Sequence, residues 1–149
     1  MPLINSIHDK NHVIGLYESQ EQKIEEGLKY LRIGFEQKNE AILLILDELS
    51  IDKVRNAIIN NWNIFQDELT KLEKSETITI RTSSEFYFTN RILNNESPVH
   101  QYSAISNKAI ENGKSGLRVF TDVDIFFERG YGNDLIGFNH YHHLHLIFH

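Results

Sequence analysis

The sequence predicts an α/β domain of three layers, α/β/α, with helices on both faces of a mostly parallel sheet. Three observations carry that expectation. Strand-like runs alternate with capped amphipathic segments along the whole chain. One of those runs, Ala41-Ile42-Leu43-Leu44-Ile45-Leu46, is apolar throughout, which is how a strand covered on both faces reads. The segments between runs are long enough for crossover helices, whose default hand is right.

The first β-α-β unit runs from His12 to Leu46. His12–Tyr17 is a short apolar run with β-branched residues, ending at Glu18-Ser19. Ser19 is suited to cap a helix, because its hydroxyl can accept from a free N–H of the first turn, and Gln22 three residues on completes a capping box. Glu18 and Glu21 then lie at the positive end of the helix dipole. Ile24, Leu28, Leu31 and Phe35 recur at spacings of four, three and four, one apolar stripe at helical period. Ahead of this unit, residues 1–11 hold a proline among mixed polar residues and are expected to form an N-terminal arm, leaving 12–149 as a single domain.

After the buried strand, Asp47-Glu48-Leu49-Ser50 reads as a polar turn with Ser50 capping a second helix, its inner face Ile51, Val54 and Ile58. Trp62, Phe65, Leu69 and Leu72 repeat the helical spacing beyond Asn60-Asn61. Thr77–Thr82 alternates Ile78 and Ile80 with polar residues, the pattern of a strand nearer an edge. Ser83–Asn90 carries three adjacent aromatics, Phe86, Tyr87 and Phe88, which either plug the end of the sheet or line a pocket. Ser97-Pro98 starts the next helix and Gly113 stops it, with Tyr102, Ile105 and Ala109 on its buried side. Leu117–Phe120 is the fourth strand, and Thr121-Asp122-Val123-Asp124 lies at its carboxyl end. Terminal helical turns around Phe126, Phe127, Leu135, Ile136 and Phe138 are interrupted by Gly130 and Gly132.

Composition narrows the function classes. A chain of 149 residues suits one domain. With 40% hydrophobic residues and no long apolar run, it predicts no membrane segment, and the N-terminus has neither the basic start nor the apolar core of a signal peptide, so the expected compartment is the cytoplasm. The absence of cysteine excludes disulfides, thiolate metal sites and cysteine catalysis. A net charge of −6 argues against direct nucleic-acid binding, which rests on Lys and Arg neutralising phosphates.

Three motifs bear on chemistry. Gly113-Lys114-Ser115 has the tail of a phosphate-binding loop, but Lys108 stands where its first glycine belongs and a strand follows where the mechanism needs a helix N-terminus. The right place for such a loop, Tyr17 to Lys23, has no glycine and carries Glu18 and Glu21. His140, His142, His143, His145 and His149 crowd the C-terminus; on a helix His142, His145 and His149 would share a face and could hold a transition metal, although no carboxylate or cysteine completes the set and adventitious binding by a tail is the plainer reading. His12 is read as a satisfied core histidine in preference to a ligand. Finally, Glu18, Asp47, Glu48, Glu85, Asp122 and Asp124 fall at or beyond strand carboxyl ends, where open α/β sheets bind ligands. Most of them are equally explained as solvated turn residues.

Taken together, H-V-I-G-L-Y-E-S, L-K-Y-L-R-I-G-F-E-Q-K-N-E-A-I-L-L-I-L, and G-L-R-V-F-T-D-V after a capped helix resemble the MEDS domain, the sensory domain named for methanogens, methylotrophs and the dichloromethane regulator. The resemblance spans roughly His12 to Phe138. That family is itself similar to the RecA and KaiC type of ATPase core with its phosphate loop lost, and the resemblance implies a non-catalytic sensor of small molecules that signals to a regulatory module such as a transcription factor or kinase. Family members usually continue through another helix and strand, and no output module is joined to this chain, so a separate regulatory partner and a homo-oligomer covering an exposed edge are expected.

The expected ligand wall is Tyr17, Glu18, Ser19, Asp47, Glu48, Ser84, Glu85, Phe86, Tyr87 and Asp122. Its aromatic faces and excess of carboxylates suit a small neutral or cationic molecule, and no cofactor is expected. A mobile Ser83–Asn90 connection would report binding to the partner. The alternatives are a divergent RecA-like nucleotide-binding ATPase and a metal-binding protein using the C-terminal histidines.

Overall fold

The computed structural model describes residues 3–9, 12–89, 92–93 and 98–122. At its centre is β3 (Glu40–Leu46), paired in parallel with β4 (Ile78–Thr82) on one side and β7 (Gly116–Thr121) on the other. Every residue of β3 is buried, because successive side chains point to opposite faces and both faces are covered. Ile42, Leu44 and Leu46 pack with Leu28, Leu31, Val54, Ile58, Trp62 and Phe120. Ala41, Leu43 and Ile45 pack with Tyr87, Tyr102, Ala109, Leu117 and Val119.

Those two clusters define the layers. On the first face lie α1 (Gln20–Gln37), α2 (Ile51–Asn61) and α3 (Gln66–Lys74); on the second lie the short α4 (Ser83–Tyr87) and α5 (Pro98–Glu111). The α/β class and the three layers stand as read from the sequence. The helix starts are largely as expected: Ser19 Oγ accepts from the Gln22 N–H at 3.1 Å, although the Gln22 amide oxygen accepts from Glu18 N–H, one residue earlier than a capping box requires. α5 begins at Pro98, and Gly113 follows its end with φ +89°, the left-handed region that glycine tolerates.

Helix α1 approaches β7 closely at two points seven residues apart. A Cβ on Gly27 would stand 2.8 Å from the Phe120 ring, and one on Gly34 would stand 2.7 Å from Arg118 Cδ. Both glycines are buried, and their lack of a side chain sets the helix-to-sheet distance.

Four expectations are corrected. The run from His12 is β2 (His12–Leu16), and it pairs antiparallel with β1 (Leu3–Asp9) instead of joining the parallel sheet. The expected arm therefore holds a strand, because the two short segments on either side of residues 10–11 satisfy each other's backbone groups. Ser50 does not cap α2; Asp47 caps a 3-10 turn at Glu48–Ser50 that leads into it, accepting from Ser50 N–H at 3.0 Å. Phe65 is 76% exposed at the start of α3, while Trp62 and Leu69 are buried. The segment after β4, read as an irregular connection, forms α4, with Phe88–Thr89 continuing as β5 against β6 (Ile92–Leu93). The side chain of His12, Val123, Asp124, the terminal aromatic turns and the histidine-rich tail lie outside the described residues. Among the described residues, no helix is long and apolar enough to cross a membrane.

Candidate functional site

The connection leaving β3 enters α2 on one face of the sheet, and the connection leaving β4 enters α4 on the other. Divergence of this kind, at the carboxyl ends of the strands, marks the usual ligand position in open α/β sheets. Asp47 follows β3, Ser83 and Ser84 follow β4, and Asp122 follows β7. The first turn of α1 lies across this edge.

The side chain of Gln20, first residue of α1, gathers the edge. Its amide nitrogen is 2.8 Å from Asp47 Oδ2, 3.2 Å from Ser50 Oγ and 3.2 Å from Asp122 Oδ2. One turn on, Lys23 Nζ forms an ion pair with Asp122 Oδ1 at 3.1 Å, the two side chains 14% and 4% exposed. Asp47 also accepts from Ser50 Oγ at 2.9 Å. Asp122 is pinned by its backbone, its N–H donating to Ile45 O at 2.8 Å, while Ser83 Oγ donates to Asp122 O at 3.4 Å. Polar groups from α1, β3, β4 and β7 thus converge on one spot.

Of the residues predicted to form the wall, Asp47 and Asp122 are brought together here, bridged by Gln20. Ser84 is half-buried beside them in sequence, its hydroxyl 3.4 Å from that of Thr82. Glu18, Ser19, Glu48 and Glu85 are exposed at the rim. Tyr17 is half-buried against Phe120, ring centres 6.4 Å apart, and burial followed by the charge of Glu26 pushes its phenol up.

Phe86 and Tyr87 sit elsewhere than a ligand wall would need them. Phe86 stacks on Tyr102 with ring centres 5.6 Å apart, and Tyr87 is 1% exposed in the core beneath α5. The Tyr87 hydroxyl bonds Thr121 Oγ1 at 2.7 Å and the Tyr102 hydroxyl. Burial in this apolar layer pushes the Tyr87 phenol up to about 12, against the opposing hydrogen bonds from Thr121 and Tyr102. These aromatics close the end of the sheet, one of the two roles open to them from the sequence.

Gln20, Lys23 and Ser50 belong to the site, and sequence reasoning misses them. Their signal is position: all three fall within four residues of a strand's carboxyl end or of its following turn, in the two connections Tyr17–Lys23 and Asp47–Ser50. Lys23 lies off the apolar stripe of α1, and only the fold shows that it faces Asp122.

Comparison with known families returns a match over residues 11–146 to the MEDS family, described as the MEthanogen/methylotroph, DcmR Sensory domain. No curated protein and no solved structure matches the chain.

Proposed function

The chain belongs to the MEDS family of sensory domains, and from that premise we propose that it is a non-catalytic sensor that binds a small neutral or cationic molecule at the carboxyl edge of its sheet and signals to a separate regulatory protein, a transcription factor or a kinase. The observation that carries the choice of ligand is the crowding at Gln20. Its amide nitrogen has two hydrogens and lies within reach of three acceptors, two of them carboxylates. Two carboxylates and a hydroxyl gathered at one place favour a ligand that donates N–H or O–H groups and disfavour an anion. Small amines and alcohols are the classes that fit.

Sensing requires that the ligand prefer one of two states. The turn Glu48–Ser50 is placed to differ between them. It is held by Asp47 and Ser50, the groups a ligand would engage, and it presents Leu49 at 89% exposure. An apolar side chain so exposed beside the site is a natural contact for the partner. The Ser83–Tyr87 helix is a poorer reporter, because Ser83, Phe86 and Tyr87 are buried.

The ATPase reading has less support. It asks for a glycine-rich loop after the first strand, where Tyr17-Glu18-Ser19 stands, and for a lysine free to meet phosphates, whereas Lys23 is held by Asp122. Calorimetry with magnesium-ATP should be flat, and a micromolar dissociation constant would reinstate that reading.

Native mass spectrometry of protein purified without added ligand, followed by a thermal-shift screen of small amines and alcohols, tests the sensor. We expect a hit that shifts the melting curve and is lost in Asp47→Asn and Gln20→Ala. Hits indifferent to both substitutions would place the ligand elsewhere and defeat this site.

A further inference from the structure

Among the described residues, the side of the sheet away from β7 ends at β4. Thr77 O accepts from Ile42 N–H at 2.8 Å, so the alternation of a parallel ladder points the N–H and C=O groups of Ile78 and Ile80 outward. Among the described residues, no strand pairs with that edge. One face of β4 is packed under α3 through Ile78. On the other face α5 packs over β3 and β7, leaving a groove between β4 and α5.

The groove is basic in an acidic protein. Two adjoining concavities, about 380 Å³ and 140 Å³, share Glu76, Ala109 and Asn112; Lys114 lines the larger, and Thr79, Arg81, Ile105 and Lys108 line the smaller. Arg81, Lys108 and Lys114 face one carboxylate, Glu76, which Lys108 Nζ meets at 2.7 Å, while the whole chain carries −6. Arg81 is exposed on an edge strand. Such a charge deters pairing with a like-charged strand.

We propose that the outer edge of β4, together with the basic groove beside α5, docks an extended acidic segment of a protein partner as an added strand. Main-chain bonds to Ile78 and Ile80 would supply affinity, and carboxylates on the groove-facing side would meet Arg81 and Lys108. A second copy of this chain is a worse occupant. Antiparallel pairing of two β4 strands about Ile80 sets Arg81 of each beside Thr79 of the other, so both Arg81 and both Lys108 side chains share one face. This surface lies apart from the Gln20 cluster and does not depend on what binds there.

An acetylated alternating Glu-Val octapeptide, with a Lys-Val octapeptide as control, tests the proposal by two-dimensional amide NMR and fluorescence anisotropy. The Glu-Val peptide should shift the amide signals of Ile78 and Ile80 and bind more weakly as salt rises. Arg81→Glu with Lys108→Glu should weaken it about tenfold or more and let the Lys-Val peptide bind instead. Ile80→Pro removes an outward N–H without touching the ladder to β3 and should abolish binding. If that variant does not fold, the Ile78 and Ile80 signals of the unsubstituted protein decide. Equal binding of both peptides, shifts confined to Lys108 and Lys114 that citrate reproduces, or a dimer through β4 seen by light scattering would each overturn it.

Discussion

Two ion pairs flank β7, one near each end of the strands, Arg118 with Glu40 of β3 and Asp122 with Lys23 of α1, and they are finished differently. At the amino end, Arg118 Nε and one terminal nitrogen both lie 3.0 Å from Glu40 Oε1, and the side chains are 3% and 7% exposed. Arg118 also donates to Tyr30 O at 3.0 Å, and its guanidinium carbon sits 4.4 Å above the Tyr30 ring. The burial of Tyr30 against this pair pushes its phenol well up. Gly34 leaves the room that the arginine fills. At the carboxyl end, Lys23 meets Asp122 in an ion pair at 3.1 Å, partly open to solvent, and an amide shared among three acceptors lies alongside. The first cluster encloses its charge with planar, fitted partners. The second is built from a flexible ammonium and an amide shared among three acceptors, and it is the one the proposed ligand would engage.

That contrast can be broken by mutation. The largest effect is expected from Arg118→Met, which takes the guanidinium from the buried Glu40 carboxylate and should cost about 3–5 kcal/mol of stability in urea denaturation. Replacing both residues, Glu40→Leu with Arg118→Met, should recover much of the loss, because no buried charge is left uncompensated. Asp122→Asn at the open cluster should cost less, about 1–3 kcal/mol, since Lys23 retains access to water. A loss as large as that of Arg118→Met would show the two clusters to be alike and remove the ground for treating one as a site.

A smaller effect separates both pairs from the hydroxyl group of the core under α5. The Tyr87 phenol, raised by burial from 10.0 to about 12, binds its proton more tightly in the folded state than in the unfolded chain. Its contribution is therefore fully present below pH 10 and is lost as pH rises through about 12. Tyr87→Phe should cost about 1–2 kcal/mol at neutral pH and reduce the alkaline loss of stability, followed by circular dichroism across that window. An unchanged alkaline slope would move the titration to Tyr102 or Tyr30. The smallest effect is expected at Gln20: Gln20→Ala removes hydrogen bonds from a neutral donor at a half-buried position and should cost about 0.5–1.5 kcal/mol while removing ligand-induced thermal shifts. A large destabilisation there would make the amide a structural clamp.

Much of the architecture is legible in the order of residues alone. The unbroken apolar run Ala41–Leu46 is a doubly covered strand, the alternation around Ile78 and Ile80 is, among the described residues, an edge strand, and Ser19, Pro98 and Gly113 mark helix limits as their chemistry requires. These features are local: burial on two faces and helix capping leave their mark within a few neighbouring residues. The site is half legible. Asp47 and Asp122 can be found because the carboxyl ends of strands are a generic ligand position, but their partners Gln20, Lys23 and Ser50 read only as ordinary helix and turn residues.

What the amino-acid sequence determined by itself, then, is the alternation of elements, the central strand and the polar edge above it. Tertiary structure alone decided that β2 turns back on β1, that Phe86 and Tyr87 point into the core, and that Lys23 lies against Asp122 across 99 residues of chain. The physical reason is that pairing and burial depend on which distant surfaces meet. An aromatic residue or a lysine carries the same local signal whether it faces a ligand, a core or a carboxylate, and only the packing of α1 and α5 on opposite faces of the sheet distinguishes them.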